Sequence, residues 1–485
     1  MSSAPPRYAA RPGARAGAGD PTRSRRPSER LPGLDGLRAL AIVAVLVFHL
    51  RATWLPGGFL GVDVFFVISG FLITTLLVRE HLRSGRIDLP RFWLRRARRL
   101  LPALVLVVVV STIAARLIER DLLVGIGRQT LGALTFTTNW LEIGAGTDYF
   151  HATSPQLFMT FWSLAVEEQF YLVWPFLVLA IVTLVRRRRR RLAVPLALGI
   201  ASMTGAGILL DPSSTTRVYY GTDTHLVGLM IGAALAFAWA APHRAWTKTD
   251  AWRHLRRPLT AWALVVLFTL FVVARDDFAW TFRLGIPLAS LATAVLVLAL
   301  VSAPTRLRDL VETAPIRWVG ERSYGLYLWH WPVVLLVGAA WPVTPGGAAY
   351  LASRGLALVL TFAFAAASYR WVEQPVRRRG FRASVVAVRH SLEGLTPRGL
   401  RAVTATAVLA AVAYAAVLAS APTRSTTQTQ LATNAAVVDQ TTTQAPVTTE
   451  GGESDLAVEG VTVATTPAEA AAPAPAIPMT APTAA

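Results

Sequence analysis

Cysteine is absent from all 485 residues, which excludes disulfides, thiolate nucleophiles and cysteine-ligated metals and leaves the redox compartment unreadable. Residues 1 to about 30 hold no apolar run able to serve as the core of a signal peptide. Their Arg, Pro, Ala, Gly and Ser content reads as a disordered, basic cytoplasmic tail. No zinc pattern and no basic module interleaved with aromatics accompanies the net charge of +20. The basic residues instead sit in short stretches between apolar runs, so nucleic acid is not an expected partner. No internal repeat of the kind that builds many transporters is visible either.

What is abundant is apolar sequence. Hydrophobic residues make up 53% of the chain and the mean hydropathy is +0.46, more than one soluble core could bury. The expected class is an all-α polytopic membrane protein. Eleven runs could span: 36–52, 59–78, 100–117, 161–185, 192–210, 225–241, 257–274, 282–301, 323–341, 348–369 and 402–420. With the N-terminus inside, the loops 79–99, 186–191, 242–256, 302–322 and 370–401 are cytoplasmic. They collect most loop arginines, including Arg95-Arg96-Ala97-Arg98-Arg99, the run Arg186 to Arg191 and Arg377-Arg378-Arg379. That asymmetry is the positive-inside signature and puts the C-terminal tail outside a plasma membrane. Residues 124–138 are apolar enough to resemble a further span, but inserting them would reverse the arginine bias. They are expected as an interfacial or re-entrant helix within the outer segment 118–160.

Ionisable groups inside apolar runs are costly and mark candidate sites. The first run carries Arg38 and His49, eleven residues apart. At about 100° per residue these share a helix face, about 16 Å apart along the axis. Asp63, in Gly57-Gly58-Phe59-Leu60-Gly61-Val62-Asp63, is expected near the depth of His49 and is a candidate partner for it. The glycines around Asp63 suit close helix packing. Two overlapping Arg-x-x-Arg pairs, Arg95 with Arg98 and Arg96 with Arg99, can each share a helix face. Arginine forks match phosphate, so one pair beside Arg38 would cradle a phosphorylated donor. Phe161-Trp162-Ser163-Leu164-Ala165-Val166-Glu167-Glu168-Gln169-Phe170-Tyr171 places two carboxylates in one span, expected near the level of His49, where either would orient a general base. Tyr219-Tyr220-Gly221-Thr222-Asp223-Thr224-His225 and Ser323-Tyr324-Gly325-Leu326-Tyr327-Leu328-Trp329-His330 suit either interfacial anchoring or sugar binding. By topology His330 is expected nearer the cytoplasmic side. Glu373 is expected to pair with a neighbouring arginine.

These motifs together resemble the acyltransferase-3 family of integral membrane O-acyltransferases. The matching features are Arg-x10-His at Arg38 and His49, the Gly-Gly-Phe-x-Gly-Val-Asp-x-Phe-Phe stretch at 57–66, and the Arg-x-x-Arg segment. Trp162 to Tyr171, Tyr327-Leu328-Trp329-His330 and Val372-Glu373-Gln374-Pro375 complete the series. They follow the family's order across residues 30 to about 380. The resemblance implies transfer of an acyl group, commonly acetyl, from cytoplasmic acyl-CoA to a hydroxyl of a surface glycan, peptidoglycan or exported metabolite. It implies donor binding by Arg38, Arg95, Arg96, Arg98 and Arg99, and catalysis by His49 with Asp63, Glu167 and Glu168. Acceptor contacts would fall to Trp162, Ser163, Tyr171, His225, Tyr327 and His330, with no metal and no permanently bound cofactor. Many relatives continue after an eleventh span into an extracytoplasmic SGNH-type domain. The tail here carries no Gly-Asp-Ser motif, and a separate extracytoplasmic acyltransferase is then an expected partner. Relatives often have arginine where His225 stands.

The expected organisation is a basic tail at 1–30, a transmembrane acyltransferase-like domain at 31–380 and a basic linker at 381–401. An eleventh span at 402–420 leads to a disordered Thr/Ala/Pro-rich tail at 421–485. The competing functional class is a proton-coupled transporter or flippase of a glycan or lipid-linked precursor, using the same buried His and carboxylates as a relay.

Overall fold

The structure, a computed structural model, describes residues 31–147, 149–150, 156–211, 215–239, 247, 249–384, 386 and 396–443. Among the described residues the chain is helical, with no β-strand. The elements are α1 (Leu34–Leu50), α2 (Gly61–Ser84), α3 (Leu89–Ile118), α4 (Ile126–Thr135), α5 (Thr138–Gly144), α6 (Phe161–Leu184), α7 (Ala193–Leu209) and α8 (Thr216–Tyr220). They continue with α9 (Val227–Trp239), α10 (Asp250–Val273), α11 (Ile286–Ser302), α12 (Arg306–Val311), α13 (Ala314–Glu321), α14 (Ser323–Ala340), α15 (Ala348–Ser368) and α16 (Gln374–Arg379). Two more helices, Pro397–Ala419 and Thr426–Thr443, follow.

Each of the eleven apolar runs is helical. Among the described residues eight helices are long and apolar enough to cross a membrane, as a multi-pass membrane protein requires. The others are shorter or more polar: α1 has 17 residues, α9 has 13, and α14 carries Tyr324, Tyr327, Trp329, His330 and Trp331. The segment 124–138 forms α4 and the start of α5 rather than a span. The tails at 1–30 and 444–485 lie outside the described residues. The part of the tail expected to be disordered that is described contains the helix Thr426–Thr443, tied to the bundle where Thr426 N and Oγ1 donate to Asp121 at 2.9 and 3.0 Å.

One difference from expectation shapes the site. The second and third spans are joined by four residues only, because α2 runs on to Ser84 and α3 begins at Leu89. Gly85 ends α2 in the left-handed conformation (φ 71°), while Asp88 caps α3 by accepting from Arg91 N at 3.0 Å, with Pro90 in its first turn. The arginines at 91–99 therefore ride on a rigid helix, not a loop. Elsewhere, π-helical turns at Thr281–Gly285 and Tyr369–Glu373 precede Pro287 and Pro375, absorbing the ladder break that a residue without N–H creates.

The centre of the bundle is α2, with 83% of its apolar window inside the fold, whereas Pro397–Ala419 has 6% and lies at the periphery. Glycine makes that central packing possible. A Cβ on Gly70 would lie 2.0 Å from Leu229 O, and one on Gly232 would lie 2.1 Å from Val67 O, so α2 and α9 touch backbone to backbone. Gly58 and Gly61 bring the start of α2 equally close to the carbonyls of Ala44 and Ala41 on α1.

A buried ion pair ties the same helix to the loop before α9. Asp63 Oδ1 and His225 Nε2 are 2.9 Å apart, with the residues 0% and 1% exposed. The turn that aims His225 is braced by Arg217, whose Nη2 donates to Asp223 Oδ2 at 2.7 Å. That hydrogen bond holds the Asp223 carboxyl below the usual carboxylate range. The opposite ring nitrogen of His225, Nδ1, donates to Tyr219 O at 2.7 Å.

Two stability predictions follow. Gly70→Val should cost about 1–3 kcal/mol or more and visibly lower the thermal unfolding midpoint in detergent. Gly207→Val, at a position with nothing within 4 Å of the added atom, should change it little. Asp63→Ala should cost about 3–5 kcal/mol by stranding His225, and the double variant Asp63→Leu/His225→Leu should recover most of that loss. An additive double variant would show that the two side chains do not depend on each other.

Candidate functional site

At one end of the bundle a partly open cavity lies between α1, α2, α3, α6 and α14. Arg38, Arg96 and Arg99 line it together with Glu167, Glu168, Ser69, Ser163, Tyr171, Tyr324 and Tyr327, over an apolar floor that includes Val62, Phe65 and Leu164. Arg99 lies in the fields of Arg38, Arg96 and Arg377. The acids moderate this cluster. Glu168 faces Arg96 and Arg99, and Glu167 Oε1 accepts from both Ser69 Oγ and Tyr171 Oη. The Arg96 guanidinium lies 4.3 Å from the Tyr171 ring centroid, while Arg38 reaches back to Asp35 at 3.5 Å. Glu373, from the π-turn after α15, is buried among Arg377, Arg99 and Arg322. Convergent guanidinium groups over an apolar floor suit a ligand that is both phosphorylated and organic.

Beyond this cavity lies a second group. His49 Nδ1 donates to Val45 O at 2.9 Å, which leaves Nε2 as the acceptor, 3.0 Å from Tyr149 Oη. His330 is held in the same way, Nδ1 donating to Tyr327 O; its Nε2 is buried without a partner. The two rings lie 4.9 Å apart, with Trp331 5.1 Å from His49. Two imidazole rings are thus held close together in an aromatic setting, His330 buried and His49 half-buried. Neither histidine lines the arginine cavity. Tyr327 stands between the two groups: its Oη donates to Thr160 O at 2.8 Å and pairs with Ser163 Oγ at 2.6 Å.

This register corrects four expectations. Glu167 and Glu168 are not beside His49. The antiparallel helices α6 and α14 meet at Ser163 and Tyr327; from there Glu167 lies about 6 Å towards the arginines and His330 about 4.5 Å the other way, at 1.5 Å per residue. His330 for the same reason sits against His49 rather than at the arginine end. Asp63 is paired with His225 and not with His49, so His225 is an ion-pair partner rather than an open substrate contact. The overlapping arginine pairs separate, because neighbouring residues on α3 project about 100° apart. Arg96 and Arg99 face the cavity, whereas Arg95 lies 3.8 Å from Glu80 and Arg98 turns to Gly380.

Trp162 is fully buried in an aromatic cluster, its ring centroid 4.4 Å from that of Tyr219 and 5.4 Å from those of Tyr220 and His225. The group that the sequence did not single out is Tyr149, from an irregular segment that no periodicity marks. Gln169 sits in a polar network, donating to Phe136 O at 2.8 Å and Asn139 Oδ1 at 3.0 Å and accepting from Thr222 at 2.6 Å. The outer segment is further braced by Arg128 on the buried Glu142 at 3.2 Å. No cluster of three or more His, Cys, Asp or Glu arranged to hold a metal occurs among the described residues.

The chain is 37% identical over 360 residues to the O-acetyltransferase OatA of Staphylococcus aureus, covering 73% of this chain and 58% of that protein. It is 37% identical over 358 residues to the putative peptidoglycan O-acetyltransferase YrhL of Bacillus subtilis, covering 73% and 56%. Against the peptidoglycan O-acetyltransferase OatA of Listeria monocytogenes the figures are 34% over 356 residues, 72% and 56%. The matched region is thus a little over half the length of each of these relatives. No solved structure matches the chain. The family model described as an acyltransferase domain matches residues 31–370, which takes in α1 through α15, the arginine cavity and both histidines, and the chain belongs to this acyltransferase-3 family.

Proposed function

We propose that the chain is a membrane O-acetyltransferase that moves an acetyl group from cytoplasmic acyl-CoA to a hydroxyl of a cell-wall glycan, peptidoglycan being favoured by the printed names of its relatives. The observation that carries this reading is the pairing of an arginine-lined cavity with two histidine rings 4.9 Å apart, the two groups separated by one tyrosine. The positive-inside bias orients the arginine end to the cytoplasm.

Arg38, Arg96 and Arg99 hold the CoA phosphates as charge-assisted hydrogen-bond donors. Glu167 and Glu168 balance that charge and fix the cradle's geometry instead of orienting His49. The thioester reaches past Ser163 and Tyr327 towards the histidines. His49 Nε2 takes the acceptor hydroxyl proton as the oxygen attacks the thioester carbonyl, the C–S bond breaks, and the proton passes to the departing thiolate. The same nitrogen is equally placed to carry the acetyl group transiently. The acceptor hydroxyl takes the place of the Tyr149 hydroxyl on Nε2, and His330 positions His49. Residues 31–380 form the catalytic domain, 402–420 the eleventh span, and the tail beyond it lies outside the membrane. A separate extracytoplasmic acyltransferase remains a fitting partner for that side.

Full-length protein in lipid nanodiscs, given labelled acetyl-CoA and peptidoglycan fragments, tests this. His49→Ala should lower transfer by about 10²–10⁴-fold, and normal transfer by that variant overturns the assignment. Arg96→Gln and Arg99→Gln should each raise KM for acetyl-CoA about tenfold or more, with Arg95→Gln within about twofold of wild type as an exposed pair predicts.

A further inference from the structure

Arg354 has no role in the scheme above, and its setting is unusual for a charged side chain. It lies in the second turn of α15, 8% exposed, and its Nε and Nη1 are sealed from solvent with no hydrogen-bond acceptor. Guanidinium stays charged in proteins, and an uncompensated charge in a membrane domain is costly and marks a functional position. Long basic side chains near a helix end usually extend outwards to water or headgroups, but this one is turned into the fold.

Its neighbours add positive charge. Arg354 Cζ lies 4.8 Å from the Tyr350 ring centroid, and the half-buried Arg51 lies 5.8 Å from the same ring. Tyr350 Oη donates to Leu50 O at 3.1 Å, which fastens this ring to the end of α1 one residue from His49. No ion pair among the described residues reaches either arginine. The ring faces stabilise the cations only in part, because they leave the N–H donors unsatisfied. The N-terminal end of α15, at Ala348, adds the positive pole of its dipole, which disfavours the arginines and favours an anion beside them.

We propose that Arg354 and Arg51, gathered on the Tyr350 ring that is tied to the end of α1, form a subsite for an anionic oxygen group, a carboxylate or phosphate, carried by the acceptor. This deepens the O-acetyltransferase reading and rests on it for the identity of the ligand as acceptor. The subsite seats an acidic glycan through its charged substituent and presents a neighbouring hydroxyl to Nε2. Neutral glycans lack that anchor.

The test reads binding without acetyl-CoA. Full-length protein in neutral detergent is titrated with N-acetylmuramic acid, and with N-acetylglucosamine as the uncharged comparison, following tryptophan fluorescence. Wild type should prefer the acid sugar at least about tenfold. Arg354→Gln should lose the preference while unfolding at the same temperature or higher, since it removes an unpaired buried charge, and Arg354→Lys should keep part of it. Absence of any Arg354-dependent preference overturns the proposal. A second arm compares nanodiscs of phosphatidylglycerol and phosphatidylcholine. Arg354-dependent stabilisation by phosphatidylglycerol without a preference between the sugars overturns the assignment to the acceptor, in favour of a lipid phosphate. Acid-sugar binding through Arg354 without acetyl transfer keeps the subsite and rejects the transferase reading; transfer with no Arg354-dependent binding does the reverse.

Discussion

The contact between Ser163 on α6 and Tyr327 on α14 stands between the two polar groups of the site. With Tyr327 Oη committed to the Thr160 carbonyl, Ser163 is left as donor to that oxygen, and two antiparallel helices are locked in register. Because residues advance in opposite directions from that point, Glu167 is carried towards Arg96 and Arg99 while His330 is carried towards His49. A slip of one turn between the helices, about 5.4 Å, would roughly halve the axial separation of carboxylate and imidazole.

That separation matters because the interior of a membrane domain tolerates charge only when it is compensated. At the arginine end, Glu167, Glu168 and Glu373 offset a cluster of guanidinium groups whose mutual repulsion would otherwise open the bundle. Beyond Tyr327, each of the two histidines is held by a backbone carbonyl. Asp63 and His225 are spent on each other, holding α2 against the loop before α9. Among the buried polar atoms that this pairing leaves without a partner are His330 Nε2 and the Nε and Nη1 of Arg354, while His49 Nε2 is held by the Tyr149 hydroxyl.

The close backbone packing around α2 supplies the rigidity that such placement needs. Glycines at 58, 61, 70 and 232 let α1, α2 and α9 approach to a distance at which helix backbones touch. Pro90 sits in the first turn of α3, π-turns accommodate Pro287 and Pro375 within longer helical stretches, and Pro102, Pro175, Pro258 and Pro332 lie inside α3, α6, α10 and α14.

The apolar runs, the glycines and the charge bias of the loops were legible from the chain alone, since helix formation and membrane insertion are driven by local hydrophobicity and by intrahelical hydrogen bonds. Which residues bear charge inside the membrane was legible for the same reason, and so was the common face of Arg38 and His49. Partnership was not. Asp63 meets His225 across 162 residues of sequence, His49 meets Tyr149 from an irregular segment, and a four-residue connection made the arginine segment a helix whose 100° step chose Arg96 and Arg99 over Arg95 and Arg98. Sequence by itself determined the helices and the charged groups that needed partners; only the tertiary structure decided which partners they found, because depth and rotation depend on how neighbouring helices are pinned rather than on the composition of any one of them.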